Sequence, residues 1–243
     1  MTPGTRPAGS RRERPAKPAL TRAGIVDAAL TVMRAEGLDR VTMRRLAAEL
    51  DTGAASLYVY VRNTAELHAA MLEELLGQID LSPATATGTG TATGSGSGDW
   101  QERLIEVLTS YTTILFEHPG LAQSALVTRP SGPAYLGLVE AILALLDAGG
   151  ISHDRASWGM DLLLHVATAT AVEHGTRERS LDASDEEDAV AEALRDAPAD
   201  RFPHIAAIGA TELMSGPGRL DWGFRVLING VIHTPRPETE TTP

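Results

Sequence analysis

Apolar residues recur three and four positions apart along almost the whole chain, and the two-residue alternation of a half-buried strand never takes over. Ile25, Ala28, Ala29, Val32 and Met33 mark one such face, Leu46, Ala47 and Leu50 a second, and Leu67, Met71, Leu72, Leu75 and Ile79 a third. Only a helix gathers residues so spaced into one stripe that a neighbour can cover, so the predicted fold class is all-α. Thr21 and Gly37 are placed to cap and to end the first helix, and Asn63 or Thr64 to cap the fourth. From Asp99 onward the spacing predicts helices near 100–117, 119–128, 132–148, 152–178, 184–196, 202–214 and 218–232.

Breaks in this pattern divide the 243 residues into five parts. Residues 1–19 hold five basic side chains against Glu13 and four prolines, the composition of a disordered basic arm. Residues 20–80 are expected to form a compact helical domain. In the expected linker, 81–98, every residue from Ser82 to Gly98 is Ser, Pro, Ala, Thr or Gly, too little apolar surface for a core. Residues 99–233 are expected to form a larger helical domain and 234–243 a disordered tail rich in Pro, Thr and Glu.

The net charge of −11 is spread unevenly: residues 1–62 carry 11 Arg or Lys against 6 Asp or Glu, and the remainder carries 10 against 26. A basic end on an acidic body suits contact with a polyanion at that end. The chain has no cysteine, which excludes disulfides, thiolate metal sites and thiol nucleophiles. No apolar run approaches the ~18 residues of a membrane span, and Met1 to Leu20 lack a signal-peptide core. A cytoplasmic protein is expected. No Ser-His-Asp arrangement, phosphate-binding loop or metal-spaced His/Glu set is visible, so neither an enzyme nor a cofactor is expected. A helical carrier or enzyme without DNA binding stays the alternative from another class, and an activator the alternative within regulation.

Residues 42–61 carry the most informative constellation. Thr42 precedes a helix from Met43 to Leu50; the turn Asp51-Thr52-Gly53 leads into a short helix from Ala54 to about Val61. A helix, a three-residue turn and a short second helix are the geometry that lets one helix enter the DNA major groove. Ala54, Ala55 and Ser56 are small enough for close approach to the bases. Tyr58 and Tyr60 carry hydroxyls that reach phosphates, although the Tyr58 ring equally suits the core. Arg44 and Arg45 suit either the phosphate backbone or solvent.

The stretch Thr21 to Leu75 resembles the DNA-binding domain of TetR-family repressors. The matching positions include Ile25, Ala28, Ala29, Gly37, Thr42, Met43, Leu46, Ala47, Leu50, Ser56-Leu57-Tyr58, Tyr60-Val61 and Leu67. The resemblance implies that Thr52, Ala54, Ala55, Ser56, Tyr58 and Tyr60 face double-stranded DNA, with Thr42, Arg44, Arg45 and Arg62 near the backbone. Two positions depart from the family. Asp51 stands where Gly is common in the turn, and Thr64 replaces a Lys that touches phosphate, a contact left to Arg62 or the basic arm.

In the second half, Trp100-Gln101, Thr128-Arg129-Pro130, His165 and Glu173 resemble the tetracycline-repressor subfamily, as does Asp221 to Gly230, the last dimerisation helix there. The departures decide what carries over. Ala125 replaces a metal-binding His, Val107 a drug-gripping Asn and Tyr111 a Phe, so the remaining oxygen donors do not make a hard-cation site. The expectation is a metal-free pocket for a planar, largely hydrophobic small molecule, lined by Val107, Leu108, Tyr111, Leu126, Trp158, Leu162 and Val166. Thr128, Arg129, His165 and Glu173 are its candidate polar anchors. His165 equally suits the core, Arg129 a helix C-terminus, and Trp158 a subunit interface. Wide apolar faces near 155–178 (Leu162, Leu163, Val166, Ala167, Ala171) and 218–232 (Leu220, Phe224, Leu227, Ile228, Val231) are expected to pair two copies as a four-helix bundle. The implied function is a repressor that leaves its operator when a small-molecule inducer binds. Since the linker transmits no force, coupling is expected through side-chain packing.

Overall fold

The computed structural model describes residues 19–85, 99–127, 130–179, 183–214, 216 and 218–237. Among them are thirteen α-helices and one 3-10 turn, with no strand. The N-terminal module comprises α1 (Arg22–Glu36), α2 (Met43–Glu49), α3 (Ala54–Leu57) and α4 (Thr64–Leu76). A short α5 (Ser82–Thr85) follows. The body contains α6 (Asp99–Glu117), α7 (Pro119–Val127), α8 (Pro133–Ala148), α9 (His153–Arg179), α10 (Ala183–Arg195), α11 (Pro203–Ile208), α12 (Ala210–Met214) and α13 (Arg219–His233).

Local chemistry sets the ends of the module's helices. Thr21, Thr42 and Asn63 each accept a hydrogen bond from the backbone N–H three residues on, at 3.0, 3.1 and 2.8 Å, which satisfies one orphan donor of α1, α2 and α4. Gly37 closes α1 with φ 88°, a conformation that an L side chain disfavours. The turn between α2 and α3 bends at Asp51, whose φ of 46° is the left-handed value that explains why glycine suits this position.

Two apolar cores result, and each borrows from the other half. Ile25, Ala29, Leu46, Leu57, Val61, Leu67, Met71 and Leu75 fill the module's core, and Leu121 of α7 completes it, fully buried. Conversely, Leu72, Leu76 and Ile79 from α4 and its C-terminal turn belong to the body core with Leu104, Leu108, Leu138, Ile142 and Phe224. Helix α4 is thus a wall shared by both. Close approach needs small residues both at the seam and within the body: a Cβ on Gly120 would meet Leu38 at 2.9 Å, and one on Gly175 of α9 would overlap Pro119 of α7.

Several boundaries differ from the sequence expectation. Helix α3 is shorter than Ala54 to Val61 because the chain leaves the helix after Leu57 in turns. Leu81 and Ala84 pack against the body core, so the start of the expected linker is structured; residues 86–98, like the arm at 1–18, lie outside the described residues. The helix expected over 202–214 is broken at Gly209, where φ is 84°. The start of the expected tail also packs, with the Arg236 guanidinium 4.1 Å from the centre of the Trp158 ring. Among the described residues no helix is long and apolar enough to cross a membrane.

Candidate functional site

Helices α2 and α3 present one continuous outward surface. Leu57 and Val61 are fully buried and anchor the short helix from beneath. The same register turns Ala55, Ser56, Tyr58 and Tyr60 outward, with Tyr58 51% exposed, and leaves Thr52 and Ala54 half-buried at its edge. Tyr58 therefore does not pack its ring in the core. Thr42 and Arg44 are exposed at the start of α2. The Thr42 hydroxyl accepts from Arg45 N, so its own proton stays free to donate to an anion.

The other cations are partly committed. The Arg45 guanidinium donates to Glu36 at 2.6 Å and to Glu49 at 2.8 Å, which holds the Glu36 carboxyl below its ordinary range. Arg62 donates through both its backbone N–H (2.9 Å) and its Nε (3.0 Å) to Glu66, and these bonds lower the Glu66 carboxyl likewise. The Arg62 side chain is nonetheless 86% exposed, and the pair is easily exchanged for another anion.

Some 60 Å³ of cleft lies between the shared helix α4 and the body, lined by Leu72 and Leu76 of α4, Tyr111 of α6, Tyr135 of α8, and residues of α7 and α9. Its polar groups are Tyr111, Tyr135, Asp161, His165 and Thr168. Tyr111 is buried, and its hydroxyl lies 2.6 Å from Thr168 Oγ1, which itself donates to the Leu164 carbonyl at 2.7 Å. The Tyr111 hydroxyl is therefore the donor of the pair. Burial pushes this phenol above its ordinary range.

The sequence-derived pocket residues do not all meet here. Tyr111, Leu126 and His165 line the cleft, whereas Val107 and Leu108 are fully buried behind it. Glu173 is exposed and donates no wall; it accepts from Arg177 at 2.6 Å, one helical turn on. Trp158 and Leu162 lie on a different face, in a hollow of about 400 Å³ that α9 forms with Val226 and Val231 of α13. Thr128 and Arg129 lie outside the described residues. The faces expected to pair two copies are also redistributed: Leu163, Ala167, Ala171, Phe224 and Ile228 fill the chain's own core, while Trp158, Leu162, Trp222 and Val226 are exposed.

Residues 25–71 match the bacterial regulatory proteins of the tetR family, and residues 93–234 match the tetracyclin repressor-like C-terminal domain. The chain belongs to the TetR family of transcriptional regulators. It is 52% identical to a solved transcription regulator of Streptomyces coelicolor, covering 92% of this chain and 100% of that one with a TM-score of 0.69. The TetR family protein ActR of the same organism, solved in complex with actinorhodin, is 32% identical over 88% of this chain and 96% of its own, TM-score 0.75. The transcriptional repressor DrrR1 of Streptomyces coeruleorubidus is 35% identical over 145 residues, 59% of this chain and 50% of that protein.

TetR-family members are regulators rather than enzymes, as the sequence implied. The polar cleft residues that sequence reasoning passed over are Tyr135, Asp161 and Thr168. Asp161, His165 and Thr168 stand four and three residues apart on α9, a polar line on an otherwise apolar stretch, and that spacing was the signal available. For Tyr135 no local signal existed, because α8 reaches the cleft only through tertiary packing, on α4, α6 and α9.

Proposed function

We propose that two copies of this chain repress transcription by setting their α3 helices into successive major grooves of an operator. A small aromatic molecule with polar substituents ends the repression by occupying the cleft. The observation that carries the first part is the outward face of α2 and α3: Ala55, Ser56, Tyr58 and Tyr60 project around a buried Leu57, flanked by Arg44 and Arg62. Major-groove reading needs such a short, small-residue helix edge, and flanking donors fix its register on phosphates. Pairing of two copies rests on Trp158, Leu162, Trp222 and Val226, an exposed apolar face on α9 and α13 of the kind that marks an interface.

The cleft supports the second part. Leu72, Leu76 and Leu164 offer apolar walls to a ring system, and Tyr135, His165 and Thr168 offer hydrogen bonds to hydroxyl or carbonyl groups. The lining is more polar than a wholly hydrophobic inducer would need. ActR, a relative of this chain, is solved with the small molecule actinorhodin bound.

Selection of duplexes by the purified full chain from a random library tests the reading. A defined sequence should emerge, its affinity should fall steeply with salt, and Y58A/Y60A should lose it. Actinorhodin is the first probe for release of the selected duplex, and H165A should respond more weakly to it. Recovery of no preferred duplex would end the repressor reading.

A further inference from the structure

Glu73 projects from α4 between the two cores, and its carboxylate reaches another helix. Its Oε1 accepts a hydrogen bond from Ala134 N at 2.5 Å and its Oε2 one from Tyr135 N at 3.3 Å. Helix α8 needs a partner from elsewhere, because its N-cap residue, Gly132, has no side chain and Pro133 has no N–H. Ala134 and Tyr135 are the first free amides of α8, and one side chain from the N-terminal module takes both. Gly132 also makes the room: a Cβ there would overlap the Glu73 carboxyl. A carboxylate at a helix N-terminus is favoured by the dipole, and its hydrogen bonds are of the stronger, charge-assisted kind.

This contact sits where it feels the cleft. Leu72 and Leu76, on either side of Glu73 in α4, line one wall, and Tyr135, whose amide Glu73 holds, lines another. With the contact made, the cleft has about 60 Å³, whereas sites for drug-sized molecules enclose roughly 300–1,000 Å³. Filling it requires its walls to part, and α4 and α8, joined by Glu73, are two of those walls. Leu67, Met71 and Leu75 on the opposite side of α4 pack the core that seats α2 and α3, so α4 cannot move without them.

We propose that Glu73 is the latch coupling the cleft to the DNA face. Its grip on the α8 N-terminus holds the closed, operator-competent arrangement, and a molecule in the cleft acts by prising it open. The proposal rests on the repressor reading above and adds the contact through which it is regulated. Cleft occupant and operator then select opposite states of one contact, and each weakens the other by the same factor.

Operator affinity of the full chain, measured by anisotropy on the selected duplex, tests the latch with E73A, E73Q and E74A. Glu74 is the exposed neighbour on the same turn. Removing an acidic charge from a chain that binds a polyanion does not weaken binding electrostatically, so E74A should bind at least as well as the native chain. E73A makes the same charge change, yet it should bind about ten-fold more weakly, because a charged hydrogen-bonded contact favouring the competent state is gone. E73Q keeps a neutral acceptor of the same shape and should fall between; it carries the test if E73A does not fold. Duplex binding to the native chain should also slow amide exchange at Tyr135. Equal operator affinities for folded E73A, E73Q and E74A would overturn the latch, as would Tyr135 exchange that ignores the duplex. Failure of the native chain to select any duplex would instead remove the repressor reading itself.

Discussion

The two halves of this molecule solve the same problem, seating helices against one another, by opposite means. In the N-terminal module three of the four helices are capped by the side chain of the residue that precedes them: Thr21, Thr42 and Asn63 serve α1, α2 and α4. In the body, α8 is capped by Glu73 from another domain, α13 is tied to α6 by Arg225 bridging Glu102 and Asp221, and the Arg155 guanidinium reaches the Ile232 carbonyl at 2.8 Å. A reading head that must present one fixed surface gains from self-contained ends. On the proposed mechanism the body's walls must part, and contacts that cross between elements suit that.

Replacing Leu121 with alanine strains this contrast hardest. The residue belongs to the body by sequence and to the module by packing, so L121A should lower stability by about 2–5 kcal/mol. Amide exchange should report the loss in α1 and α4. Loss confined to the body would erase the shared wall. Next comes Y111F, which removes the donor to a buried Thr168 oxygen and should cost about 1–2 kcal/mol in urea unfolding. The variant should leave binding of the selected duplex unchanged, since the lost bond lies wholly within the body. T42A should cost about 1 kcal/mol and, unlike Y111F, should also weaken duplex binding, because the cap and the proposed phosphate donor are the same hydroxyl. An unchanged salt-dependent affinity in T42A would separate those two roles.

The smallest effect concerns the seam. Burial holds the imidazole of His68, 3.2 Å from Ser124 across the α4–α7 contact, below its ordinary pKa of 6.5, and burial together with nearby Arg34 does the same for His118. The unfolded chain binds protons on these rings before the folded chain does. Their contribution is therefore complete above 6.5 and is lost as the pH drops from there through the folded-state values. Unfolding midpoints followed downward from about pH 7.5 should fall, and H68Q should flatten that slope. A slope identical in H68Q would assign the pH response elsewhere.

What was legible in the sequence follows the same division. The caps, the Gly37 stop and the buried Leu46, Leu57 and Leu67 could be read because their causes lie within a turn or two of the residue. Most helix ends of the body were legible for the same reason, the break inside 202–214 excepted. The cleft was not: the resemblance made Val107 a pocket wall but it is buried in the core, and Trp158 and Leu162 share a helix with His165 but line a different hollow. Which stripe of a long helix meets which neighbour is fixed by tertiary packing. Gly209 shows the local limit as well, since an apolar run conceals a break until a positive φ is required.

Leu121 has a practical corollary for anyone grafting this reading head onto a foreign sensor. The seam suggested by the Gly, Ser and Thr run would carry away a head with a hole in it, its deepest plug left behind in the donor. A working chimera must import α7 along with residues 19–80, or refill the void by design.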